Sequence, residues 1–174
     1  VEKKEGNRFP APPFTTSTLQ QEAGRKLRFS VSQTMRLAQS LYERGLITYM
    51  RTDSTNLSSL AINTAGKFIL DNFVAEYHHP RQFKTRSKGA LEAHEAIRPT
   101  FIDNTSIQGT PAEQKLYNLI WKRTVASQMA EARVLSTNVR VGLDTRSEKY
   151  ALQSAEILFD GFLKLYMEGT DDEQ

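Results

Sequence analysis

The sequence predicts a mainly α chain with a β part, in which a helical body is inserted in a β-strand arch segment. Amphipathic stretches with helix-start signals recur between residues 15 and 133. After Arg133 the pattern changes to period two, with Val139, Val141 and Leu143 alternating with Asn138, Arg140 and Gly142. The opening segment carries Pro10, Pro12 and Pro13, which exclude helix and leave extended chain that can lie against the later strands. The expected division is therefore an entry segment at 1–14, a helical domain at 15–133 and a strand segment at 134–174.

The elements follow from local chemistry. Thr16 or Ser17 starts a short helix that runs to about Leu27. Ser30, with Gln33 three residues on, fits a capping box for a second helix reaching about Arg44. Val31, Met35, Ala38, Leu41 and Tyr42 form its expected inward stripe. Gly45 is suited to end that helix in a left-handed conformation, and residues 46–52 read as a short strand. Two short helices and a strand make a helix-turn-helix or winged-helix arrangement. A third helix is expected over 58–77, with Ile62, Ala65, Ile69 and Phe73 on its buried face. A basic loop follows at 78–89, then a helical turn at 91–97 stopped by Arg98-Pro99. Thr110-Pro111-Ala112-Glu113 is a strong start signal, in which threonine caps, proline takes the first helical position and glutamate reaches back. That helix should extend to about Met129. Residues 144–148 read as a turn, 150–155 and 157–159 as further strands, and Asp160-Gly161 as a bend.

Composition bounds the function classes. The chain has 174 residues, enough to bury a core, and no apolar run long enough to cross a bilayer. It has no cysteine, which excludes disulfides and thiolate zinc sites and fits a cytoplasmic protein. Its start at Val1, without a signal-peptide pattern, is expected of a piece cut from a longer protein. The net charge of +3 says little about nucleic acid by itself. Arg25, Lys26 and Arg28 cluster, as do Arg81, Lys84, Arg86 and Lys88, while Asp171-Asp172-Glu173 close the chain. Such runs are most simply solvated surface.

The most informative run is Gly45-Leu46-Ile47-Thr48-Tyr49-Met50-Arg51-Thr52-Asp53-Ser54. In a strand, Tyr49 and Arg51 would point the same way. A phenol, with a reference pKa of about 10, is a poor nucleophile until a nearby cation favours the phenolate. The same cation would neutralise charge building on a phosphate under attack. Alone, a Tyr-x-Arg pair is an ordinary strand pattern. Here it sits among Thr48, Thr52, Asp53, Ser54, Thr55 and Asn56, an unusually polar surround for one aromatic.

A second motif, Ala93-His94-Glu95-Ala96-Ile97-Arg98-Pro99-Thr100, follows later in the chain. A zinc helix of the His-Glu-x-x-His type is excluded, because Arg98 stands where the second histidine must be. Tyrosine recombinases and type IB topoisomerases place their tyrosine after the histidine and arginines, the reverse of the order here. His94 can adopt either charge state, its reference pKa lying near 6.5. Arg98 has the forked donor that serves salt bridges and phosphates alike.

Together the two motifs resemble the active-site segment of the type IA DNA topoisomerases, and the Met50, Glu95 and Arg98 forms are most similar to the bacterial topoisomerase I branch. The resemblance implies that Tyr49 is the nucleophile that forms a 5′-phosphotyrosine link with one DNA strand. It implies that Arg51 contacts and orients the scissile phosphate, and that His94 orients the DNA backbone or assists proton movement. Thr48, Asp53, Ser54 and Arg98 are the further DNA-contact candidates. Gln39 and Glu43, at i and i+4 on the preceding helix, match polar positions of the family, and Glu43 is a candidate to hold Arg51. Residues 13–21 resemble the start of the family's helical domain, where their hydroxyls read mainly as helix caps.

The family also needs a TOPRIM domain whose acidic residues hold Mg²⁺, and this chain has no Asp-x-Asp cluster of that kind. The expected partners are thus single-stranded or underwound DNA and the TOPRIM domain of the same parent chain, with no metal in this segment and no membrane. The implied activity is breaking and rejoining one strand to relax negatively supercoiled DNA, with this segment inactive alone. The competing class is a non-catalytic winged-helix DNA-binding module.

Overall fold

Four helices and a three-stranded antiparallel sheet make up the protein in a computed structural model that describes residues 1–84, 94–142 and 149–167. The helices are α1 (Thr16–Leu27), α2 (Val31–Glu43), α3 (Ser59–Asn72) and α4 (Pro111–Ala126). The strands are β1 (Glu2–Arg8), β2 (Ala132–Gly142) and β3 (Lys149–Phe159), with β2 between the other two. The entry strand β1 pairs with β2 from Glu2↔Asn138 to Arg8↔Ala132. Chain ends that are distant in sequence therefore meet in one sheet, and all four helices fall between β1 and β2.

Side-chain caps start α1 to α4. Thr15 begins α1 with a reciprocal box to Thr18, while Ser30, Ser58 and Thr110 each accept from the backbone amide three residues on. The glutamate of the Thr110 signal does not reach back. Glu113 instead accepts from Arg44, whose guanidinium also donates to the Gln108 carbonyl at 2.5 Å. Gly45 ends α2 with φ +72°. Its amide donates to the Tyr42 carbonyl at 2.8 Å and the Leu46 amide to the Leu41 carbonyl at 2.9 Å, the paired bonds of a Schellman motif.

The core lies among α1, α2, α4 and the segments threading between them. Phe14, Leu19, Ala23, Ala38, Leu41, Ile97, Leu116, Ile120, Val125 and Met129 are buried there. A polar network crosses it: buried Arg123 donates to the Pro12 carbonyl (2.6 Å) and the Tyr166 hydroxyl (3.1 Å), and Tyr166 donates to buried Glu22 (2.7 Å). Burial pushes the Tyr166 phenol up, although Arg123 pulls the other way. This network ties the entry segment, α1 and α4 to the chain that leaves β3.

Several elements differ from expectation. Residues 46–52 are not a strand. Only Ile47 bridges, to Pro99, because threonine hydroxyls take over the backbone groups that a ladder would use. The inward stripe of α2 is Thr34, Ala38 and Leu41. Thr34 tolerates burial by donating to the Ser30 carbonyl, whereas Val31 in the first turn is 58 % exposed and Tyr42 is 40 % exposed with its ring against Tyr49. Helix α3 ends at Asn72 and a separate 3₁₀ turn spans Ala75–Tyr77. Helix α4 stops at Ala126. Of the helical turn expected over 91–97, residues 91–93 lie outside the described residues and 94–97 are not helical, with Ile97 bridged to Phe14. The two strands expected at 150–159 are one, with a register irregularity opposite Arg133 and Val134. The 144–148 turn lies outside the described residues.

Gly161 follows β3 with φ +51°, and a Cβ there would stand 2.4 Å from the Ala130 carbonyl oxygen. Gly161→Ala should therefore lower stability by at least about 1 kcal/mol, since both backbone conformation and space are lost. Urea unfolding with an unchanged slope and a lower midpoint is the expected readout.

Candidate functional site

The loop carrying Tyr49 is held on both sides. Upstream, the Thr48 hydroxyl donates to the Ala96 carbonyl (2.7 Å) and accepts from the Arg98 amide (2.9 Å), while the Thr48 amide donates to the Arg98 carbonyl (2.9 Å). Downstream, the Thr16 hydroxyl donates to the Met50 carbonyl (2.7 Å) and accepts from the Thr52 amide (2.9 Å). The Thr16 amide, one of the first-turn donors of α1 with no helical partner, donates to the Thr52 carbonyl (2.9 Å). Met50 is 1 % exposed and plugs the loop into the core between these tethers. Its two neighbours face outward: Tyr49 is 46 % exposed and Arg51 is exposed. Burial thus alternates over residues 49–51 without a strand to enforce it.

The 94–100 segment is fixed with the same economy. It runs between Phe14, which accepts from the Ile97 amide, and Leu46, which accepts from the Thr100 amide. The Ala96 amide donates to Asn56 (2.8 Å). Arg98 donates from Nε (2.6 Å) and Nη2 (2.9 Å) to the Glu95 carboxylate and from Nη1 to the Pro99 carbonyl. Glu95 also accepts from the amide of Ser58, the cap of α3. Burial pushes the Glu95 carboxyl up. The bonds from Arg98 and Ser58, with the charge of Arg98, outweigh it and leave the group below its ordinary range. Of the two uses open to the Arg98 fork, the structure shows the ion pair.

Thr16, Ser17, Gln20, Arg51, Thr52, Asp53 and His94 line an open cavity of about 480 Å³. Arg51 and His94 therefore converge from opposite segments, whereas Tyr49 is not among the described lining residues. Among the described residues neither Arg51 nor His94 makes a side-chain hydrogen bond or ion pair. Ser54 is buried and accepts from the Asn56 amide at 3.1 Å. Gln39 donates to Glu43 at 2.7 Å, and among the described residues no ion pair joins Glu43 to Arg51. Arg81, read as part of a basic loop, donates instead to the Ser127 and Met129 carbonyls, and burial lowers its pKa. Arg86 and Lys88 lie outside the described residues. No group of three or more His, Asp or Glu side chains gathers as a metal site among the described residues.

Sequence reasoning assigned Thr16 to capping and missed its role as the downstream tether. It also gave no role to Gln20 and placed Tyr42 on the inward stripe of α2. The tethers join residues 36 and 48 positions apart, and no local periodicity signals such pairs.

The DNA topoisomerase family profile matches residues 1–174. The chain is 54 % identical to DNA topoisomerase 1 of Synechococcus elongatus over 99 % of its length, covering 20 % of that protein. It is 51 % identical to DNA topoisomerase 1 of Zymomonas mobilis, again over 99 % of its length, covering 14 % of that protein. The solved structure of full-length topoisomerase I from Thermotoga maritima superposes with a TM-score of 0.81 at 36 % identity, over 98 % of this chain and 30 % of that one. The chain belongs to the bacterial type IA DNA topoisomerase I family and spans about a fifth or less of these two curated relatives.

The depressed Glu95 carboxyl gives a signed prediction. A carboxyl whose folded pKa lies below its unfolded value stabilises above the unfolded value, and the contribution is lost as pH falls through the folded one. Melting temperature should therefore carry an acid limb that Glu95→Gln flattens, and a variant whose acid limb matches wild type would contradict the pairing.

Proposed function

We propose that this segment supplies the nucleophile and the phosphate-contact residues of an enzyme that breaks and rejoins one DNA strand. The observation that carries the reading is the two-sided tether, which presents Tyr49 outward two residues from Arg51, itself in a cavity shared with His94 and without a side-chain hydrogen bond or ion pair among the described residues. Arg51 and His94 bind a backbone phosphate of single-stranded or underwound DNA over the cavity. The Tyr49 phenol oxygen attacks phosphorus and the bond to the 3′ oxygen breaks, leaving a 5′-phosphotyrosine. The phenolic proton ends on the released 3′ hydroxyl. Because the ester conserves the energy of the broken bond, that hydroxyl can attack back and reseal the strand without ATP.

The remaining roles follow from what each residue touches. Thr48 and Ser54 hold the loop, and Asp53 lies in the cavity wall. Arg98 acts through Glu95 to fix the backbone next to His94. Gln39 and Glu43 form a polar pair on α2 that borders the DNA path. The helical body is read as a winged-helix-like gate domain inserted in the strand arch, with boundaries at 1–14, 15–133 and 134–174. Mg²⁺ belongs to the TOPRIM domain of the parent chain, where it would stabilise the DNA phosphates. Relaxation of negatively supercoiled DNA in the cytoplasm is then an activity of the parent, and this segment alone is inactive. No helix among the described residues is long and apolar enough to cross a membrane.

In the full-length parent, Tyr49→Phe should abolish the covalent adduct with a labelled oligonucleotide and stop relaxation, while DNA affinity stays within about twofold of wild type, because only the attacking oxygen is removed. Relaxation by the phenylalanine variant would overturn the assignment and favour a DNA-binding module. The isolated 174-residue segment should relax no supercoiled plasmid, with or without Mg²⁺. Metal-dependent relaxation by it would overturn the need for a second domain.

A further inference from the structure

We infer that Tyr42 is a positioning residue for Tyr49, an inference that rests on the function proposed above. The two rings meet edge to face, with centroids 5.2 Å apart and planes at 63°. Tyr42 is 40 % exposed, so the core does not account for its ring. It stands in the last turn of α2, where its carbonyl accepts from the Gly45 amide in the Schellman turn. The backbone under the ring is thereby fixed. The reversal at Gly45 brings the loop back along the helix end, and residues seven apart come into contact.

Such a contact answers a problem that the tethers leave open. Thr48 and Thr16 fix the backbone on either side of Tyr49, but they do not fix its side chain. A half-exposed tyrosine on a held backbone still has several staggered χ1 wells and a freely turning ring. Attack on phosphorus needs the phenol oxygen in line with the leaving 3′ oxygen, and populations spent in other wells lower the rate in proportion. The edge-to-face contact with Tyr42 selects among those wells through the quadrupole preference of paired rings. The Tyr42 hydroxyl has no hydrogen-bond partner among the described residues, so the ring is the working part and phenylalanine should serve as well.

The test uses the full-length parent with Tyr42→Ala, Tyr42→Leu and Tyr42→Phe. Three quantities are read: the single-turnover rate of adduct formation on a saturating labelled oligonucleotide, the affinity for that oligonucleotide by fluorescence anisotropy, and the melting temperature. Tyr42→Ala and Tyr42→Leu should slow adduct formation about tenfold, the upper range for losing an aromatic pair, with affinity within about twofold of wild type. Tyr42→Phe should form adduct at the wild-type rate and melt with wild type, while the alanine and leucine variants should melt at most a few degrees lower, because the same ring contact also stabilises the folded state. The leucine variant keeps apolar bulk at the helix end, which separates loss of the ring from loss of packing.

Wild-type rates in both the alanine and leucine variants would overturn the inference. So would a loss confined to affinity, which would make Tyr42 a base-stacking platform, or a phenylalanine variant as slow as alanine. These outcomes leave the proposed function standing. Absence of any Tyr49 adduct in the wild-type parent would instead overturn that function, and this inference with it.

Discussion

The site depends on hydroxyl-to-backbone bonds that suspend a five-residue loop between two distant segments. Threonine is well suited to this work, because one short side chain both donates and accepts. Thr48 uses both capacities on the 96–98 backbone and Thr16 uses both on residues 50–52. A regular strand would have satisfied the same backbone groups, but it would have needed a partner strand covering the loop's edge. Side-chain tethers leave that edge open, so Tyr49 and Arg51 can face solvent while Met50 is locked into the core. A hydroxyl is lost without much change of shape in threonine-to-valine substitutions, yet the buried carbonyls and amides would be left unpaired, which is the expensive part of such a change.

The second constraint runs from α3 to His94. Ser58 caps the helix with its hydroxyl and offers its amide to Glu95, which holds Arg98, whose backbone is in turn bonded to Thr48. Helix start, ion pair and Tyr49 loop are consecutive members of one bonded chain. Arg98 accordingly bears on Tyr49 without any need to touch it, and an ion pair with bidentate geometry gives that path directional rigidity.

How much of this could be read from the sequence depended on the distance between partners. The caps at Ser30 and Thr110 and the left-handed Gly45 are signals confined to a few residues; both hydroxyls cap and Gly45 is left-handed as predicted, although each cap forms only the hydroxyl half of the expected box. The motif around Tyr49 was legible through its resemblance to the family to which the chain belongs. The 46–52 segment was misread as a strand because β-branched, threonine-rich sequence suits a strand and a hydroxyl-tethered loop equally. Thr16 was misread because capping is the commoner use of a hydroxyl at a helix start, and its actual partners lie 34 and 36 residues on. The exposure of Tyr42 escaped the helical period because the period fixes an azimuth and says nothing about what stands opposite it.

The sheet has a consequence of its own. Residues of β1 are exposed throughout, and Tyr150, Leu152, Ile157 and Leu158 on β3 are exposed as well. Both outer strands of a three-stranded sheet have one backbone edge that neither neighbour uses. On β1 that edge is flanked by Glu2, Lys3, Lys4, Glu5 and Arg8, whose charges discourage a second chain from adding on. β3 has a single charge, Glu156, between Tyr150 and Phe159. In a purified sample of this segment, self-association would therefore run through β3, and solubility would be set by one thinly guarded strand rather than by the helical body.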